Sequence, residues 1–157
     1  MKYLNGIAAG LAALSLTAIM PAANAATHTH DAAEKVRQLD IMLMVSALRC
    51  RNTPDGFQTE YHQFSANHLT ELNAASRTLE SDLARQYGAK AAKRALDKMS
   101  VSMANAYGQG HPWMNCHDLK QATSDLAVNN QPGALLAAAD MMLADKDSGR
   151  QNLAAGY

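Results

Sequence analysis

The sequence predicts an all-α protein, a single small helical domain of about five helices around a buried first helix. Three observations carry that expectation. Apolar residues recur at steps of three and four along most of the chain. No stretch alternates with period two for long enough to make a strand, and there is no internal repeat. Glycine and proline clusters divide what remains into helix-sized pieces.

Residues 1–25 read as a secretory leader. Lys2 gives a positive start, Ile7 to Met20 is an apolar run too short to span a bilayer comfortably, and Ala23-Asn24-Ala25 is a small-x-small cleavage site. No cysteine follows the cut to take a lipid. The mature chain is therefore expected to begin at Ala26, to contain no membrane span, and to be periplasmic or secreted. Lys2 is the only charge lost from 14 basic and 14 acidic residues, so the mature chain carries one excess acid. So small a charge exerts no long-range pull on nucleic acid or an anionic membrane.

Residues 26–30, Ala-Thr-His-Thr-His, read as a flexible start, and residues 31–148 as the domain. Asp31 with Glu34 forms a capping-box pattern that opens the first helix. Val36, Leu39, Leu43, Ala47 and Cys50 share one face of it, while Ile41, Met44, Val45 and Leu48 cover the other, so it reads as buried on both sides. Thr53-Pro54-Asp55 supplies a cap, a proline at a permitted first position and an acid for a second, long helix. Its stripe runs through Phe57, Tyr61, Phe64, His68, Leu72, Ala75, Leu79 and Leu83, and Gly88 interrupts it. A third helix, from about 89 to 107, turns Ala92, Leu96, Met99, Met103 and Ala106 to one side. Asn115 with Asp118 caps a fourth helix with Leu119, Ala122 and Leu126 inward. After Asn129 to Gly133 a last helix carries Leu136, Ala139 and Leu143, and residues 149–157 read as frayed.

Between the third and fourth helices, residues 107–117 hold two glycines, the only tryptophan, two histidines and a cysteine. In an oxidising compartment the two cysteines of the chain, Cys50 and Cys116, are expected to pair. This loop is the candidate binding surface, with Tyr107, Gly110, His111, Pro112 and Trp113 as its contact residues. Trp113 either plugs the core beneath the disulfide or walls a recognition surface. The expected partner is a peptide, an envelope protein or a small apolar ligand.

Leu39-Asp40-Ile41-Met42-Leu43-Met44, Leu48-Arg49-Cys50-Arg51 and the run from Met103 to Trp113 together resemble a group of short exported bacterial proteins of undefined activity. The resemblance spans most of the mature chain and implies an exported helical protein. Such proteins often carry the label S-adenosylhomocysteine hydrolase, which these residues do not support. That enzyme builds an NAD site on a doubly wound sheet with a three-glycine loop, whereas Gly108-Gln109-Gly110 lacks the third glycine and follows a helix.

Two other classes compete with binding. A hydrolase would use His111 or His117 as base with Asp118 as orienter, in a concave polar pocket with Asp55 or Tyr61. No Gly-x-Ser-x-Gly, His-Glu-x-x-His or Ser-x-x-Lys marks a nucleophile. Alternatively, the amine of Ala26, two backbone nitrogens and the His28 imidazole would make a square-planar Cu(II) or Ni(II) site, with His30 adding to it. No other cofactor is expected: Cys116-His117 is similar to the end of a c-type haem sequence, but Trp113 stands where its first cysteine belongs. His62 and His68 read as structural, and Met42, Met44, Met99, Met103, Met114, Met141 and Met142 as flexible core filling.

Overall fold

A computed structural model describes residues 22–143, with side chains placed from Thr29 onward. Of the expected leader at residues 1–25, residues 1–21 lie outside the described residues, as does the expected frayed end at 149–157. Those described form an all-α domain of six helices: α1 (Ala22–Cys50), α2 (Gln58–Asn67), α3 (Leu69–Tyr87), α4 (Ala89–Ala106), α5 (Cys116–Val128) and α6 (Ala134–Met142).

Helix α1 is the axis of the fold and touches all five others. On one flank it carries the antiparallel pair α3 and α4; on the other lie α5 and α6, with α2 bridging to α5. Val36, Leu39, Leu43, Ala47 and Cys50 are all buried, together with Ile41 and Met42. The second flank is less covered than its apolar pattern implies. Met44 is 38% exposed and Leu48 50% exposed among the described residues.

Helix α1 begins at Ala22 and runs through residues 26–30, where the sequence pattern places a flexible start and an opening cap at Asp31. The segment Ala22 to Ala26 is rich in alanine, the best helix former, with no glycine or proline to stop it. His30 then fastens this end to α3, its Nδ1 lying 2.8 Å from Asp82 Oδ2.

Two helices replace the single long one expected after Pro54. The stripe from Phe57 to Leu83 is buried except at Tyr61, which is half-buried, but the helix breaks at His68. The His68 ring turns inward and its Nε2 donates to the Leu126 carbonyl at 2.8 Å, while Asn67 Nδ2 donates to the Ala127 carbonyl at 2.7 Å. Two adjacent side chains thus donate to carbonyls in the last turn of α5, where the Leu126 carbonyl also accepts from the Asn129 amide at 3.1 Å. The cost is a local turn between α2 and α3. Nor does Thr53 cap a helix: its hydroxyl donates back to the Cys50 carbonyl at 2.8 Å, closing a turn, and α2 starts only at Gln58.

Gly88 ends α3 at φ 83°, a left-handed conformation that costs glycine little. In α4, Ala92 and Met103 are buried, but Ala106 is exposed and Tyr107 takes the inward position. In α6 the buried face is Leu135, Ala138, Ala139 and Met142, one residue out of register with the expected Leu136 and Leu143, which are half-buried; Ala139 is as expected.

Candidate functional site

Four independent ties fix residues 107–117. The Cys50–Cys116 disulfide joins the end of α1 to the first turn of α5 with a Cα–Cα distance of 5.8 Å. Arg49 Nη1 donates to the Gly108 carbonyl at 2.7 Å. Gln38 Nε2 donates to the Tyr107 hydroxyl at 3.0 Å. Asn115 and Asp118 make a reciprocal capping box: the Asn115 side chain accepts from the Asp118 amide at 3.0 Å, and the Asp118 carboxylate accepts from the Asn115 amide at 3.2 Å. Gly110 turns the chain at φ 110°, and a Cβ there would sit 3.5 Å from the Arg49 guanidinium.

His111 is the fifth tie. Its Nδ1 accepts from the Met114 amide at 3.1 Å, so the neutral ring carries its proton on Nε2, which donates to the Met142 carbonyl at 2.9 Å. Both nitrogens are spent on backbone. Tyr107 stacks on one side of the imidazole with centroids 6.0 Å apart, and Trp113 meets it edge-on at 4.6 Å. Burial pushes the His111 pKa below its ordinary 6.5, with the Met142 hydrogen bond opposing the shift. Trp113 is half-buried, and Pro112 is exposed beside it.

The three candidate catalytic groups do not converge. His111 is committed to holding the loop on α6, and Asp118 to capping α5. His117 lies out in solvent, 70% exposed, with its Nδ1 3.3 Å from Asp55 Oδ1. A cleft of about 330 Å³ does open beside the disulfide, lined by Ser46, Arg49, Gly110, His111 and Met114 among others. Neither His117, Asp118, Asp55 nor Tyr61 reaches it. Tyr61 instead donates to Asp40 Oδ1 at 3.0 Å, and Arg37 Nη1 lies 3.4 Å from Asp40 Oδ2. Burial raises the Asp40 pKa, and burial together with the Asp40 carboxylate raises that of Tyr61. This cluster staples α1 to α2.

For metal, the His28 side chain lies outside the described residues, while the backbone at 26–30 is helical and His30 is engaged with Asp82 and Glu34. Among the described residues no three His, Cys, Asp or Glu side chains are grouped to hold an ion. No helix among them is long and apolar enough to cross a membrane.

Two larger grooves flank the fold. One, about 500 Å³, runs between α5 and α6 and is lined in part by Asp118 and Met142, which hydrogen-bond to Asn115 and His111 of the anchored loop. The other, about 590 Å³, lies between α3 and α4, where Tyr87, Arg94 and Lys98 rim an apolar floor.

The chain matches no family model, no curated protein and no solved structure.

Geometry therefore carries the functional argument. The α5–α6 groove was missed by sequence reasoning, although Ala134, Ala137, Ala138 and Met141 form an i, i+3, i+4, i+7 set that the helix-period pattern contains. Part of that set is buried and part open, and only the position of α5 decides which.

Proposed function

We propose that this protein is an exported binding module, and that its binding surface is the α5–α6 groove anchored by the 107–117 loop. One observation supports this most: His111 and Asp118 are consumed in holding the loop and His117 stands apart from both, while an apolar groove beside the loop stands open. Met141, 67% exposed, sits on the rim of that groove. Methionine is flexible and polarisable, and suits a surface that adapts to apolar ligands. Clamping the loop by a disulfide, a capping box and the His111 bridge lowers the ordering cost of binding next to it.

The test uses Nile red, a neutral solvatochromic dye, titrated into the disulfide-bonded protein. Binding is expected, and Met141→Asp should weaken it roughly fivefold by removing apolar contact area without lowering the melting temperature. A dye affinity indifferent to Met141→Asp, or no binding, would remove the groove from consideration.

A further inference from the structure

We infer that the α5–α6 groove takes a cationic amphipathic helix of a partner protein, with two positive side chains spaced seven residues apart. The inference rests on the groove being the binding surface, and adds the chemistry of what binds there. Its floor is formed by small or apolar residues, Ala122, Ala134, Ala137 and Ala138 among them. Alanines let a partner backbone come close, which is what a helix laid into a groove requires.

The charges on the rim all have one sign. Among the described residues, Asp118 and Asp125 are the only charged ones lining the groove, both exposed, and no lysine or arginine of that set lines it. Of the described lysines, Lys35 pairs with Asp140 at 2.6 Å and Lys120 lies 3.7 Å from Glu60. The α3–α4 groove has the opposite character, with Arg94 and Lys98 on its rim and no acid, so one cationic helix is attracted to the first and repelled by the second.

The two acids also set a spacing. Asp118 and Asp125 are seven residues apart on one helix, two turns and roughly 10 Å along its axis. A partner helix lying along the groove matches them with lysine or arginine at i and i+7, because seven residues on any α-helix span the same rise. The polar ends of Gln121 and Asn129 continue the rim. An apolar stripe between the two cations then faces the alanine floor and Met141.

The experiment compares three synthetic peptides of about 18 residues, long enough to be helical when bound. All share one leucine and alanine stripe; the first has lysines seven apart beside it, the second moves the same lysines to the opposite face, and the third replaces them with glutamate. Binding to the full chain is read by fluorescence anisotropy, and its site by amide shifts of the labelled protein. The first peptide should bind about tenfold more tightly than the second, weaken as salt rises, and lose that advantage against Asp125→Lys, with Asp125→Asn intermediate. Asp118 is left intact because it caps α5, whereas Asp125 is exposed and its substitution spares the fold. Equal affinity of the first two peptides, tighter binding of the glutamate peptide, or shifts confined to the α3–α4 groove would each overturn the inference. So would binding that emerges only when residues 144–157 are deleted, or self-association that blocks the peptide, since the occupant would then be this chain's own end or a second copy. Failure of all three peptides with Nile red still bound sinks the cationic helix alone; failure of the dye as well sinks the proposed function.

Discussion

His111 shows how one side chain changes meaning between sequence and structure. In the sequence it is a histidine in a glycine-rich loop near an acid, the composition of a catalytic base. In the fold its two nitrogens bridge the Met114 amide and the Met142 carbonyl, so it joins the loop to α6. Its pKa lies below 6.5 in the folded protein because burial disfavours the imidazolium. Between that lowered value and 6.5 the unfolded chain binds a proton that the folded chain does not, so stability falls as pH drops through this window. Above 6.5 both states are neutral and the contribution is flat. His111→Gln should flatten this part of the profile, and urea midpoints measured across the window for both proteins will test it; an unchanged pH slope would contradict the bridge. His68 was legible as a stripe histidine with one internal hydrogen bond, because helical spacing alone places it inward. The partner of His111 was not, since Met142 lies 31 residues away and only the fold brings its carbonyl there.

At the scale of elements, local signals were readable where they were self-contained. The Asn115–Asp118 capping box is a four-residue pattern, and it caps α5 as written. Replacing Asn115 with alanine should cost about 1 kcal/mol in chemical denaturation, and a loss near zero would mean the cap is idle. Gly88 likewise ends α3 because its positive φ is a property of one residue. Thr53-Pro54-Asp55 failed as a helix start because the Thr53 hydroxyl turns back to the Cys50 carbonyl, a competition between two legal local hydrogen bonds. The break at His68 has no local signal. It goes with two long-range bonds, in which Asn67 and His68 donate to the Ala127 and Leu126 carbonyls of α5, 58 to 60 residues later in the chain. The groove was hidden for the same reason: whether an alanine face is floor or core depends on where a neighbouring helix stops.

At the scale of the whole fold, a central helix sorts the other five described helices into two flanks, and the disulfide ties that centre to the edge of one groove. Cys50 and Cys116 are 66 residues apart, and closing a loop of that length stabilises the folded state by about 4 kcal/mol in the chain-entropy model. A Cys50→Ser, Cys116→Ser double variant should lose stability of that order, and a loss below about 1 kcal/mol would show that the remaining ties hold the loop unaided. All-α class, single domain and disulfide pairing were legible because periodicity and cysteine count are global properties of the chain. Which flank stays open depends on six helices packing at once. The most direct test of the central claim is an amide-shift map of the disulfide-bonded protein titrated with Nile red. Shifts concentrated in α5, α6 and residues 107–117 are the predicted result. Shifts confined to α3 and α4, around Tyr87 and Met99, would place binding on the opposite flank and contradict the account.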